Sequence, residues 1–475
     1  MRRPWPVSVF ALLALLSGWG GEVARADSEG ELALHHLLTS VETYHPLLLS
    51  ERASVDSAEG ELLAARGEFD TVLSVQGRVV PTGYYGPKRL DVLVEQPTSV
   101  LGASLYAGYR LTMGKVAPYY GEQRTLDGGE LRTGVRVPLL QDRAIDARRA
   151  GRESARTQLA VSESGYDKLI LDLERDAAQA YYAWIAAGQR LAVVAKLVAL
   201  AELRDGQIAQ KVELGALPPI EQLDNLRTIL ERKRQRVVAE RTFEKAAIDL
   251  SLFLRTNDGS SRVPRATELP RERALPDAEP GTKRDALERA VAGRPDLAQQ
   301  RALISAARIE RDLAANRVSP RLDAFGEVSK DLGAGPNDIA HTLRPTVVEV
   351  GVMLSVPVWL RKARGKRDAA EAKLRASEQK ATFVADKVRA EVLDAWSQLG
   401  AARERVEVAR EAADVAGRVA DGERERFELG EATVLFVNLR EQTAVDAQIA
   451  LIDSRFEVHF AHARLQLAMG ERLPK

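Results

Sequence analysis

The chain has 475 residues, no cysteine, and 68 basic against 68 acidic side chains, so its formal net charge is zero. Disulfides and cysteine-ligated metals are excluded, and neither the basic excess of a nucleic-acid surface nor the acidic excess of a disordered tail is present. With charged residues at 29% and aromatics at 5%, the composition suits long solvated helices rather than a dense aromatic core.

Residues 1–26 read as a secretory signal. Arg2 and Arg3 supply the positive start, Val7 to Leu16 the short apolar run, and Ala24-Arg25-Ala26 a small-x-small cleavage site before Asp27. That run is too short to span a bilayer, which takes about 20 residues. No later stretch approaches a membrane helix, since even Leu191 to Leu200 is broken by Lys196. An exported chain without an N-terminal cysteine has no site for a lipid anchor there.

Two helices are expected over 27–68. Their sequence from Thr43 to Phe69 matches Ala292 to Val318, with Pro46 opposite Pro295 at an offset of 249. Beyond each copy come alternating segments. Phe69, Thr71, Leu73, Val75 and Val79 oppose Asp70, Ser74, Gln76 and Arg78, and Leu131, Thr133, Val135, Val137 and Leu139 oppose Arg132, Gly134 and Arg136. In the second copy Leu322 to Lys330 alternates weakly. Val348, Val350, Val352, Leu354, Val356 and Val358 alternate strongly with Glu349, Gly351, Met353 and Ser355. Segments of about 10 residues with one apolar and one polar face mark transmembrane strands, although a soluble two-sided sheet reads the same way strand by strand. A further alternating stretch, Leu101 to Leu111, is assigned to an outer hairpin of unfixed register.

No proline lies between Pro138 and Pro218 or between Pro357 and Pro474, so two very long helices fit at about 141–214 and 361–429. Each would reach roughly 100 Å. Leu169, Leu173, Ala177, Tyr181, Ile185 and Leu191 keep to one face of the first, and Val384, Val388, Val392, Trp396 and Leu399 to one face of the second. Stripes this narrow suit a coiled-coil seam. Both helices end in echoing turns, KVELGALPPIEQLDNLR from Lys211 and RFELGEATVLFVNLR from Arg426. Gly215 and Gly430 stand where a left-handed cap is wanted, and a shorter helix returns after each turn.

The expected organisation is therefore a signal at 1–26, helices at 27–68, strands with a long outer loop at 69–140, and a helical hairpin at 141–254. A proline-rich linker at 255–282 follows, then helices at 283–320, strands at 321–360, a second hairpin at 361–470 and a tail at 471–475. Four membrane strands cannot close alone, and an open edge in lipid leaves backbone groups unpaired at several kcal/mol each. The wall must be shared, and three chains would supply twelve strands around an aqueous lumen.

The duplicated order of helices, strands, long helix and turn, with the strand exits RVPLLQDR and SVPVWLRK and the Leu-Gly turns, resembles the outer-membrane efflux proteins, of which TolC is the best known. The resemblance implies an α+β membrane protein: a homotrimer whose four strands per chain build a 12-stranded outer-membrane barrel on a periplasmic helical barrel. It also implies a mixed band formed by Arg255 to Thr282 and the C-terminal end. Its partners would be a periplasmic adaptor protein and an inner-membrane transporter. Adaptor contact then falls on Leu214, Gly215, Ala216 and Leu217, and on Leu429, Gly430, Glu431, Ala432 and Thr433. Counting from the turn glycine as that family does, the entrance gate falls on Glu221 and Asp224 in the first hairpin. In the second it falls on Phe436 and Leu439, so an apolar constriction replaces the acidic one there. Two basic clusters follow the inward strands: Arg143, Arg148, Arg149 and Arg152, and Arg361, Lys362, Arg364, Lys366 and Arg367. Cations oppose the dipole of a helix start. Phospholipid headgroups are one partner for them, and water is the other.

Catalytic signatures are absent: no phosphate loop, Gly-x-Ser-x-Gly, His-Glu-x-x-His or dinucleotide fingerprint. His459 and His462 lie one helical turn apart without a third ligand nearby in sequence, and four methionines make no soft-metal path. The expectation is a passive duct rather than an enzyme, with no cofactor, serving a tripartite efflux pump or a type I secretion system. A soluble periplasmic coiled-coil scaffold is the alternative from another class.

Overall fold

A computed structural model describes residues 30–116, 124–271, 274–276, 281–334 and 346–474. The expected signal segment lies outside the described residues, as does part of the proline-rich linker.

The two copies repeat element by element. Helices α1 (Leu34–Tyr44) and α2 (Pro46–Gly67) return as α5 (Lys283–Gly293) and α6 (Pro295–Asn316), with the same lengths of 11 and 22 residues. Proline explains the break within each pair. It holds the residue before it out of the helical region: His45 has φ −70°, ψ 123° and Arg294 has φ −71°, ψ 121°. The proline itself then begins the next helix.

The strands are β1 (Val72–Val79), β2 (Lys88–Pro97), β3 (Ser104–Met113), β4 (Glu130–Pro138), β5 (Arg321–Asp331) and β6 (Val347–Ser355). They form one antiparallel sheet in chain order. The four expected strands are present as β1, β4, β5 and β6, but β2 and β3 stand between β1 and β4, so the expectation of four per chain is corrected to six. The alternating stretch from Leu101 is β3, and its register is fixed by Asp91↔Arg110 on one side and Tyr106↔Gly134 on the other. Strand β2 escaped notice because Asp91 and Leu93 share one of its faces, which blurs its alternation. Pairing β4 to β5, with Gly134↔Glu327 at its middle, joins the two copies in one sheet.

Helix α3 runs Ala147–Glu213 and α4 Pro219–Leu250, while α7 runs Arg361–Glu428 and α8 Val434–Ala468. Helix α3 starts six residues later than the sequence suggests. The chain first turns through Asp142, with φ +68°, and the Asp146 side chain caps the helix by accepting from Arg149 N at 2.9 Å. Against the expectation that no later stretch approaches a membrane helix, part of α3 is apolar enough by length and composition to cross a bilayer, with 39% of that window buried in the protein. Ile170, Leu173, Ala177, Tyr181, Trp184 and Leu197 of α3 are buried. Tyr181, Trp184 and Leu173 pack with α1 and with Leu250 and Leu254 in one core; Val388, Val392 and Leu399 pack with α5 and with Val458 and Leu465 in its counterpart. Helix α3 touches α4 and α8, and α7 touches α8, so the order across the wall is α4, α3, α8, α7.

The segment after α4 closes around the middle of α3. An added Cβ on Gly188 would lie 2.5 Å from Leu269 Cδ2, so any larger residue there would force the Leu269 side chain to shift. Leu32 N donates to Glu268 O at 2.8 Å, Tyr181 Oη donates to Leu32 O at 2.8 Å, and Arg255 N donates to Ser40 Oγ at 2.7 Å. The C-terminal end joins the same band, where buried Glu174 accepts from Arg472 Nε at 2.8 Å and from Leu473 N at 3.0 Å.

Candidate functional site

Because register is continuous, each sheet face can be read across all six strands. One face carries Leu73 and Val75, Val92 and Val94, Leu105 and Ala107, Leu131 and Val135, Val328, and Val348, Val350 and Val352. It is solvent-exposed in a single chain, Val350 to 79%. The opposite face carries Arg89, Asp91, Arg110, Arg132, Arg136, Glu327 and Glu349. Asp91 sits between arginines of three strands, held by Arg89, by Arg132 at 2.8 Å and by Arg110 at 3.5 Å. Tyr106 Oη donates to Glu327 at 2.7 Å. A sheet apolar on one side and charged on the other has the pattern of transmembrane strands.

Both edge strands, β1 and β6, are open along their lengths. Aromatic residues mark the two ends of the sheet, as expected at bilayer interfaces. Tyr84 and Tyr85 stand in the β1–β2 turn at the far end, with Lys115 Nζ 4.6 Å above the Tyr84 ring. Trp359 stands where β6 leads into α7, with Arg361 5.2 Å from its ring.

The basic residues divide. Arg149 is taken up within the chain: its Nε bonds Asp146 at 2.6 Å and its Nη2 donates to Asp142 O and Arg143 O at 2.7 and 3.0 Å. Arg152 lies 5.3 Å from the Phe69 ring, and Arg367 bonds Asp368 at 2.7 Å. Arg143, Arg148, Arg361, Lys362, Arg364 and Lys366 are exposed around the helix starts.

At the far end of the helices the two turns share one geometry. Gly215 and Gly430 have φ +73° and +84°. Ala216 N reaches back to Lys211 O and Glu431 N to Arg426 O, both at 2.8 Å, while Gly215 N and Gly430 N bond Val212 O and Phe427 O. These are the paired bonds of a Schellman cap. Nothing lies within 4 Å of either absent Cβ, so these glycines serve backbone conformation and not a close approach inside the chain. The turns lie side by side, since Ile208 packs with Phe427, Val434 and Val437, with Leu217 and Ala432 at the margin. Leu214 and Leu429 project outward, exposed to 82% and 70%, and Ala216 and Thr433 are also exposed. Asp224 is paired to Arg227 at 3.1 Å, Glu221 is half-buried in the first turn of α4, and Phe436 and Leu439 are exposed on α8.

Sequence reading missed a buried charged cluster one step above these turns. Glu441 on α8 accepts from Arg204 of α3, from both terminal nitrogens of Arg232 of α4 at 3.2 Å, and from Arg424 of α7 at 3.4 Å. Arg204 Nη1 also donates to Asn438 Oδ1 at 2.7 Å. Burial pushes the Arg232 guanidinium below its usual value, and Glu441 works against that shift. One carboxylate thus ties all four long helices together. The signal was in the echo itself: the asparagines of the two Asn-Leu-Arg runs are both buried against one turn of α3, Asn225 donating to Asp205 at 2.9 Å and Asn438 accepting from Arg204. Among the described residues no group of three His, Asp or Glu is placed to hold a metal. His459 stacks on Tyr182 at 5.1 Å.

Comparison with known proteins gives two kinds of match. Residues 286–471 match the family described as outer membrane efflux protein. No curated protein matches the chain. Among solved structures, a membrane protein from Pseudomonas aeruginosa superposes with a TM-score of 0.65 at 18% identity, over 98% of this chain and 99% of that one. The outer membrane protein VceC of Vibrio cholerae gives 0.65 at 15%, over 92% and 96%, and the CmeC outer membrane channel of Campylobacter jejuni 0.62 at 14%, over 93% and 87%. The fold is therefore TolC-like, and the resemblance to outer-membrane efflux proteins drawn from the duplicated sequence is borne out.

Proposed function

Starting from a chain with the outer-membrane efflux fold, we propose that this protein is a passive exit duct, a homotrimer set in the outer membrane with its helical end in the periplasm. The two-faced sheet supports this reading most directly. A soluble scaffold would leave the valines of β6 and the apolar face beside them in water, where a contiguous apolar patch is the mark of a membrane or protein contact. In a bilayer that face is solvated by lipid, and the arginine and carboxylate face lines water. Both layers of the wall are unfinished in one chain. The sheet ends at β1 and β6, and the helical layer ends at α4 and α7, which expose Leu223, Leu230 and Val237 on one side and Phe383 and Val408 on the other. Further copies complete both layers at once.

In this reading cargo enters between the turns at Gly215 and Gly430 and leaves through the sheet. The exposed Leu214 and Leu429 dock a periplasmic adaptor, which couples the duct to an inner-membrane transporter that supplies the energy. Phe436 and Leu439 narrow the entrance with an apolar ring, Glu221 and Asp224 add charge beside it, and the exposed basic residues at the helix starts meet lipid headgroups. Reconstitution into planar bilayers tests the duct. Discrete conductance from detergent-extracted outer-membrane protein is expected. Recovery of a soluble periplasmic monomer that passes no ions would refute it.

A further inference from the structure

From the six-stranded register we infer that three copies close an 18-stranded barrel, β1 of one copy pairing with β6 of the next; this rests on the outer-membrane reading above. The inserted hairpin is built into the wall and does not hang from it. Strand β2 pairs with β1 from Val72↔Glu95 to Val79↔Lys88, and β3 pairs with β4 from Ser104↔Arg136 to Arg110↔Glu130. Its apolar residues fall on the same face as those of the four other strands, and its Asp91 binds Arg132 of β4 across the intervening strand. The hairpin turn is packed against the segment that leads from β4 into α3: Gly102, at φ +70°, comes so close that an added Cβ would lie 2.5 Å from Asp142 O, and Thr98 N closes the turn on Ala103 O at 2.9 Å.

At ordinary tilt and spacing, six strands and four helices of one chain subtend similar arcs. Strands about 4.8 Å apart and tilted about 40° occupy roughly 6 Å of circumference each, so six cover about 37 Å. Four helices spaced about 9 to 10 Å apart cover about the same arc, whereas four strands would cover only about 25 Å. One chain therefore subtends similar arcs in both layers, and the sheet can sit on the helices without a taper. Three copies give a backbone diameter of about 36 Å in place of the roughly 24 Å of a 12-stranded wall. After lining side chains the bore is about 24 Å, twice the 10–12 Å width of a helix. The outer-membrane segment then passes bulky cargo, helical polypeptide included, and any selection falls to the entrance.

The chain has no cysteine, so engineered pairs can be oxidised in intact outer membranes without background. Val75→Cys with Val92→Cys, and Leu105→Cys with Val135→Cys, join direct partners and should each form an intrachain disulfide. Walking Leu73→Cys or Val75→Cys against Val348→Cys, Val350→Cys or Val352→Cys should yield covalent rings of three. Cross-linking of Val75→Cys to Val135→Cys would place β1 beside β4 and overturn the inference, as would a walk that gives only monomers. Electron cryomicroscopy of the unmodified protein should count 18 strands, and a count of 12 overturns the proposal even if every variant misfolds. A particle with the predicted strands that conducts no ions would instead refute the duct and leave the wall intact.

Discussion

Replacing Glu441 by Gln tests the cluster that ties the four long helices near the entrance. The substitution keeps size and an acceptor oxygen but removes the one charge facing Arg204 and Arg232, which are 4% and 1% exposed. Breaking a buried ion pair from one side costs about 3–5 kcal/mol because the remaining charge is left uncompensated. Here two guanidinium groups are left, and Arg424 covers the cluster from the surface. The cost should appear as local opening, since the cores around Trp184 and Val392 lie elsewhere along the helices. At about 1.4 kcal/mol per tenfold change, the open population near the turns should rise by about two to three and a half orders of magnitude. Hydrogen exchange on peptides spanning 197–213 and 434–445 measures it, with Glu431→Gln, an exposed turn carboxylate, as the control. In bilayers the same variant should raise conductance, since Glu441 stands 11 residues, or roughly 16 Å, from Gly430. Exchange within about fivefold of wild type would refute the argument that burial makes this carboxylate structural. Full rescue by Arg204→Met, Arg232→Met and Glu441→Leu together would support it, because apolar replacement of a buried ionic set is often neutral.

Phe436→Ala should raise the conductance of the closed channel, and unchanged single-channel recordings would remove Phe436 from the gate. Gly430→Ala should cost about 1–2 kcal/mol from backbone strain alone, since no atom crowds the new methyl; a thermal melt and an adaptor-binding titration separate stability from docking. Val350→Arg, on the apolar face, should cost about 2–4 kcal/mol near mid-membrane and lower the yield of heat-resistant oligomer, whereas Glu349→Gln on the opposite face should leave it unchanged. His45 caps α2 by accepting from Leu47 N through Nδ1 at 3.3 Å, and burial, then Arg255, holds its pKa below the usual value. The unfolded chain therefore binds the proton first, so this stability is present above about pH 6.5 and is lost as pH falls through the folded value. His45→Asn, which caps without titrating, should flatten that part of the melting profile between pH 7.5 and 5; parallel profiles would exclude His45.

Where information is local, the sequence alone was enough. The proline at each α1–α2 type corner, the proline-free intervals and the glycine caps are properties of single residues and their neighbours, so the duplicated helices and both turns could be read directly. The strong alternation of β4 and β6 was legible for the same reason. Strand β2 was not, because Asp91 looks misplaced until the arginines of β3 and β4 are set opposite it, and that pairing joins residues 19 and 41 positions apart. Glu441 was hidden more deeply. It is one acid among 68, and nothing in its own helix separates it from the solvated ones. Only packing brings Arg204 and Arg232, each more than 200 residues away, into reach. Tertiary structure thus decided the number of strands and the tie between the helices, because both depend on which distant side chains burial forces to share a partner.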